Sequence, residues 1–109
     1  MKTCLRSTTH RSLEELIADP NVDAVAIASG APSHAAHAIA ALKAGKDAYC
    51  EKPMAADLED AKLALDAAKD SKRVIQIGTQ RRSEGRWKAA AKMVQSGILG
   101  TISRVEIGW

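Results

Sequence analysis

Three short apolar runs constrain this chain more than any other feature in it. Val22 to Ala28 reads VDAVAIA, Asp47 to Cys50 reads DAYC, and Arg73 to Gly78 reads RVIQIG. The runs are separated by segments of roughly 10–15 residues with helical period, and that alternation joins parallel strands by right-handed crossovers. The first run is apolar almost throughout after Asp23, which predicts a strand buried on both faces. The expected class is α/β with a parallel sheet.

The punctuation between the runs supports the same reading. Ser12 is placed to cap a short helix, with Glu15 completing a capping box and Leu13, Leu16 and Ile17 as its stripe. Asp19-Pro20-Asn21 stops it. After the first strand, Ser33 is expected to cap a helix over 34–43, with Ile39 and Leu42 inward. Gly45 suits the left-handed residue that closes that helix. Asp57 is expected to cap a helix over 58–69 with Leu58, Ala61, Leu65 and Ala68 as its buried stripe. Ser83 is expected to cap a helix running to Ser96, with Trp87, Ala90 or Ala91, and Val94 facing inward, and Gly97 and Gly100 after it. Thr101 to Ile107, TISRVEI, alternates more than the earlier runs and predicts a strand with one wet face. Residues 1–11 show no period.

Composition excludes several classes. The chain has 109 residues, enough for one domain or part of one, and its 46% hydrophobic content includes many alanines and no Phe. Alanine buries little area, so the core is thin. A net charge of +3 comes from 16 basic and 13 acidic residues that are interspersed, which marks solvated helix faces. Nucleic-acid binding needs a basic stripe with aromatic platforms, and only Arg81-Arg82, near Lys72-Arg73, is a dense basic cluster. Two cysteines, Cys4 and Cys50, make no disulfide framework, and Cys50 in an apolar strand reads as a small buried hydrophobe. No apolar run reaches the ~18 residues of a membrane span, and the N-terminal residues carry no secretory h-region. The expectation is a soluble cytoplasmic chain without membrane or nucleic-acid partners.

The chemistry concentrates where the strands end. In parallel sheets, ligands bind beyond the carboxyl ends of strands. There the sequence puts Ser29 to His34, then Glu51-Lys52-Pro53, then Gln80-Arg81-Arg82. Lys52 is a three-donor cation able to hold a substrate oxygen; Glu51 can accept from hydroxyls or neutralise Lys52; Arg82 can clamp an anion. His34 and His37 share a helix face, but no third ligand is spaced to make a metal site with them. His34 is placed to touch a ligand and His37 to be structural. The seven glycines, at 30, 45, 78, 85, 97, 100 and 108, give no G-x-G-x-x-G, so the usual seat for a dinucleotide pyrophosphate is absent.

The run VDAVAIAS…H…ALKAGKDAYCEKPMA, followed by RVIQIGTQRR and SGILGTISRVEIGW, resembles the Gfo/Idh/MocA family of NAD(P)-dependent oxidoreductases from about Ser12 to Trp109. The resemblance implies a partial Rossmann-like parallel sheet: residues 1–98 as the second half of a nucleotide-binding domain, and 99–109 as the start of a substrate domain. It implies NAD or NADP as cofactor, a small sugar or polyol as substrate, and a full-length form that is a homo-oligomer. Lys52 matches the motif lysine that contacts substrate and nicotinamide, and it is the catalytic candidate. Glu51 matches the glutamate near the nicotinamide ribose, and Pro53 completes that motif. Ser29 and His34 fall on the family's Thr-Pro-Asn-x-x-His segment, although Ser29, Gly30 and Ala31 replace its first three residues. Gln80 and Arg82 match the polar residues after the last Rossmann strand. The glycine loop is expected upstream and the catalytic histidine downstream, so this chain alone is expected to be inactive. The GTQRRS variant resembles a subgroup exported by a twin-arginine signal, which makes a periplasmic location the alternative.

The leading reading is therefore a fragment of a sugar or polyol dehydrogenase. A second is a non-catalytic interaction module that keeps half the fold, with its first strand an exposed edge prone to association.

Overall fold

The computed structural model describes residues 8–108. Expectations for residues 1–7, including Cys4, lie outside that range. The chain divides into two compact units between Gly78 and Thr79.

The first unit is a three-stranded parallel sheet with helices on one face. Its elements are α1 (Leu13–Ala18), β1 (Ala24–Ile27), α2 (His34–Lys43), β2 (Asp47–Glu51), α3 (Leu58–Ser71) and β3 (Ile75–Gly78). The strand order is β1-β2-β3, with Ile27 opposite Cys50 and Glu51 opposite Gly78. Consecutive right-handed crossovers in one direction place both helices on the same side. The alternating βαβ reading holds, with β1 and β3 shorter than their apolar runs and β2 one residue longer.

Local signals explain most boundaries. The Ser12 hydroxyl accepts from the Glu15 N–H at 3.2 Å, while the Glu15 carboxylate accepts from the Arg11 N–H at 2.7 Å, one residue earlier than in the usual box. α2 ends in a Schellman motif: Gly45 has φ +76°, its N–H donates to Leu42, and the Lys46 N–H donates to Ala41. Asp57 caps α3 by accepting from the Asp60 N–H at 2.9 Å. Asp47 joins the starts of two strands, its carboxylate accepting from the Val74 N–H at 3.0 Å.

Several expectations are corrected. Ser33 makes no side-chain cap, because a 3₁₀ turn over Ala31–Ser33 feeds directly into α2. β1 is not buried on both faces: Val25 and Ile27 are buried, while Ala24 and Ala26 are exposed. Tyr49 in β2 is likewise 40% exposed. Alanines in the first run conceal an alternation that is real in space. On α3 the expected stripe shares Ala61 and Ala68 with the observed inner face but turns on Ala64 instead of the leucines. Ala64 is 1% exposed, whereas Leu58 and Leu65 are 71% and 51% exposed. α2 also buries alanines, at 35, 38 and 41, and small residues let two helices approach more closely than leucines would. Ile39 is only half-buried, and Leu42 is the main inward side chain of α2.

The core is correspondingly small. Val25, Ile27, Ala38, Ala41, Leu42, Ala48 and Cys50 form it, flanked by Leu16, Ile17, Val22, Ala67, Ala68, Ile75 and Ile77. Leu42 and Cys50 are its largest fully buried side chains.

α1 is tied to this core at its C-terminal end. The Lys46 ammonium donates to the Asp19 carbonyl at 2.9 Å, and the Asp19 carboxylate accepts from the Asn21 N–H at 2.8 Å and meets the His10 ring at 3.0 Å. The Asn21 N–H, then His10, hold the Asp19 carboxyl below its ordinary range. A depressed carboxyl stabilises the fold above its unfolded pKa and loses that contribution as pH falls through its folded value. The melting temperature, followed by circular dichroism, is therefore expected to fall more steeply below about pH 4 in wild type than in Asp19→Ala.

The second unit contains a 3₁₀ turn over Gln80–Ser83 and α4 (Gly85–Gln95). Ser83 does not cap α4. Glu84 holds the cap position without a side-chain cap bond, and its carboxylate accepts from Arg86 Nε at 2.6 Å. No residue of α4 is buried, and the expected stripe of Trp87, Ala90 or Ala91, and Val94 is exposed. Gly97 and Gly100 have φ of +76° and +64° and end the helix as expected. Thr101 to Ile107 forms no strand, and Ile107 is 90% exposed. Strand propensity is realised only against a neighbouring strand, and this segment has no paired neighbour among the described residues.

Candidate functional site

The carboxyl ends of β1 and β2 lie side by side, which brings Ser29 and Glu51-Lys52-Pro53 to one rim of the sheet. His34 joins them. The residue is 3% exposed, with ring Nδ1 2.7 Å from the Pro53 carbonyl oxygen and Nε2 2.8 Å from the Ser29 carbonyl oxygen. A neutral imidazole carries one N–H and serves one carbonyl; a ring with both protons serves both. Either way both nitrogens face backbone, so His34 acts as a bridge between two strand-end turns. The 3₁₀ turn before α2 sets the ring at that point, because it places His34 directly under the rim. His37, one turn further on, has Nδ1 3.0 Å from the Ser29 hydroxyl.

Lys52 is exposed, and among the described residues no carboxylate lies within ion-pairing distance of it. Its peptide bond to Pro53 is cis. Glu51 is half-buried on the sheet face that the helices leave open. Tyr49 shares that face by the two-residue period of a strand, and sequence reasoning passed over it. Gly78 makes room for both: a Cβ there would stand 2.7 Å from the Tyr49 hydroxyl and 3.0 Å from the Glu51 carboxylate. The signal for Tyr49 was its position two residues before Glu51. The rim therefore gathers a hydroxyl from Ser29, a phenol, a carboxylate and a free ammonium.

Cys50 is not part of this polar set. Its thiol is buried, burial pushes its pKa up, and the Glu51 charge adds to the rise, so it stays protonated and packs as a hydrophobe. Among the described residues no three metal-ligating side chains cluster. No helix among them is long and apolar enough to cross a membrane. Gln80 and Arg82 sit exposed on the 3₁₀ turn of the second unit, where the Arg82 N–H donates to the Thr79 carbonyl at 3.1 Å.

Comparison with known proteins identifies the family. Residues 4–79 match the profile of the Gfo/Idh/MocA oxidoreductase family, NAD-binding Rossmann fold. Inositol 2-dehydrogenase 3 of Saccharopolyspora erythraea is 38% identical over 88 residues, covering 80% of this chain and 26% of that protein. Inositol 2-dehydrogenase of Agrobacterium fabrum is 40% identical over 86 residues, covering 78% and 26% respectively. The crystal structure of myo-inositol 2-dehydrogenase from Lactobacillus plantarum superposes with a TM-score of 0.77 at 29% identity, over 85% of this chain and 28% of that one. The chain thus spans about a quarter of the length of the relatives it matches. Profile, parallel sheet and relatives agree, and the chain belongs to the Gfo/Idh/MocA family of oxidoreductases with the NAD-binding Rossmann fold.

Proposed function

We propose that this chain supplies one wall of the active site in an oxidoreductase that moves hydride between NAD or NADP and a hydroxyl of a small polyol or sugar. The observation that carries the reading is the presence of Glu51 and a free Lys52, adjacent in sequence, at the carboxyl end of the central strand beside the end of β1. In this reading residues 1–98 belong to the nucleotide-binding domain and 99–109 open the substrate domain.

The residues present fit the nicotinamide half of such a cofactor. A half-buried carboxylate at Glu51 and the hydroxyls of Ser29 and Tyr49 suit ribose hydroxyls and a carboxamide. The chain has no glycine loop to fit the pyrophosphate half. When bound, the nicotinamide supplies the hydride acceptor. Lys52 donates to the substrate oxygen and favours its more negative form; its long stem and exposed position let it reach out from the rim. Glu51 orients the ribose beside it, and Gln80 and Arg82 are assigned further polar contacts to cofactor or substrate. His34 serves by position, since it ties the carbonyl of Pro53, the residue after Lys52, to that of Ser29.

The test places this chain in the matching segment of the Agrobacterium fabrum inositol 2-dehydrogenase and follows NADH formation with inositol. The folded chimera is expected to turn over, and Lys52→Met to lower kcat by about 10²–10³-fold. Full activity in Lys52→Met, or a folded chimera that binds NADH without turnover, overturns the assignment.

A further inference from the structure

Gly78 is a glycine that its own backbone does not require. It closes β3 opposite Glu51 of the central strand, and its φ lies outside the left-handed region. A strand position without a side chain packs nothing and loses more chain entropy on folding than alanine does. The reason for a glycine lies in what stands over it. A Cβ at position 78 would meet the Tyr49 hydroxyl at 2.7 Å and the Glu51 carboxylate at 3.0 Å, and its three nearest heavy atoms all belong to these two side chains. Those atoms are the polar ends of side chains and not backbone, so a methyl group there displaces Tyr49 and Glu51 and leaves the ladder alone.

The convergence joins two rows of the sheet. Glu51 shares a row with Gly78, while Tyr49 shares the preceding row with Gln76. Rows on one face of a parallel sheet are about 6.6 Å apart, and strand side chains lean along the strand. The Tyr49 ring spans that distance toward the carboxyl end of β2 and rests its hydroxyl over Gly78, on the same spot that the Glu51 carboxylate approaches. A phenol can donate a hydrogen bond and a carboxylate can only accept, so the two ends are compatible neighbours. A phenyl ring turns on two torsions and has no way to shorten itself. Where it rests therefore limits where the carboxylate beside it can turn.

We propose that Gly78 is a positioning residue for Glu51, with Tyr49 as the side chain through which it acts. The bare floor at position 78 lets the phenol and the carboxylate stand side by side, and each holds the other in place. Glu51 keeps the orientation that meets a ribose hydroxyl only while that floor is empty. The inference rests on the reading of Glu51 as the carboxylate that orients the cofactor ribose.

Two measurements test it. Tyr49 is the only tyrosine in the chain, so isotopic labelling of tyrosine Cζ gives a single resonance from that ring in the full chain. Gly78→Ala and Glu51→Gln are each expected to move this resonance by more than its line width, and Leu65→Ala, on α3, to leave it in place. The urea midpoint of Gly78→Ala is expected to equal or exceed that of wild type, because alanine suits a strand whose φ it can adopt. A lower midpoint means that Gly78 serves the sheet itself and overturns the inference, as does an unmoved resonance in either variant. The second measurement is the Kd for NADH in the chimera described above, followed by NADH fluorescence. Gly78→Ala is expected to raise it about tenfold, the worth of one hydrogen bond to a charged group, and Leu65→Ala to leave it unchanged. Wild-type affinity in Gly78→Ala overturns this inference and leaves the Lys52 assignment standing. A chimera that binds NADH without turnover overturns the Lys52 assignment instead, and the Kd comparison still decides the role of Gly78.

Discussion

Replacing Leu42 by alanine is expected to leave the chain largely unfolded at room temperature, as read by urea titration and circular dichroism. Leu42 is 1% exposed and sits where α2 meets the sheet, against Val25, Ile27, Ala48 and Cys50. Truncating a buried leucine costs about 2–5 kcal/mol, made up of lost transfer energy and an unfilled cavity. The upper end applies here, because Ala38, Ala41 and Ala48 in the same small core have short side chains that cannot move in to fill the space. A small domain has about 5 kcal/mol in total at the low end of the usual range, and a core built on alanine belongs there. The cavity term therefore consumes most of the margin. Leu65→Ala is the matched control. Leu65 is 51% exposed on α3, and its loss is expected to cost about 0.5 kcal/mol or less. Equal losses from the two substitutions would restore Leu65 to the buried stripe that helical spacing alone suggests.

That contrast shows where sequence reading succeeds and where it stops. Alternation of apolar runs and helical segments is a local property, so β1, β2, β3 and their parallel order were legible. Caps and terminators were legible when a side chain bonds backbone within a few residues, as at Ser12, Asp57 and Gly45. Ser33 and Ser83 have the same composition, but each ends a 3₁₀ turn and makes no side-chain cap bond. The α3 face was misread because helical period fixes the spacing of a stripe and leaves its rotation open. The alanines opposite, on α2, decide that rotation. Thr101–Ile107 has strand composition, but a strand needs a neighbour to pair with, and composition does not supply one. At the site, Glu51 and Lys52 were legible from their place at a strand end. Tyr49 and the dual engagement of His34 depend on distances across the rim that no spacing rule encodes.

His34→Phe is expected to destabilise the chain by about 3 kcal/mol, nearly as much as His34→Ala, because the ring's polar edges matter more than its volume. Each ring nitrogen faces a carbonyl at 2.7 or 2.8 Å in a site where His34 is 3% exposed. Phenylalanine fills the space and offers neither carbonyl a donor. A buried acceptor left without a donor costs about 1–3 kcal/mol, against about 1 kcal/mol for a hydrogen bond exchanged with water. If packing dominated, Phe would restore most of what Ala loses, and urea midpoints would separate the two variants widely. Asparagine provides the opposite comparison: it is smaller than the ring but keeps a donor, and it is expected to recover part of the loss through one of the two carbonyls. The consequences reach beyond stability, since His34 ties the carbonyl of Pro53, the residue after Lys52, to that of Ser29 at the end of the neighbouring strand. Amide shifts of Ser29, Glu51 and Lys52 are expected to move in His34→Phe while those of α3 remain. Shifts spread evenly through the sheet would instead mean that His34 supports the whole core and has no special hold on the rim. With the bridge intact, the turn carrying Lys52 is fixed to the end of the neighbouring strand, and a side chain free to reach outward is thereby given a defined base.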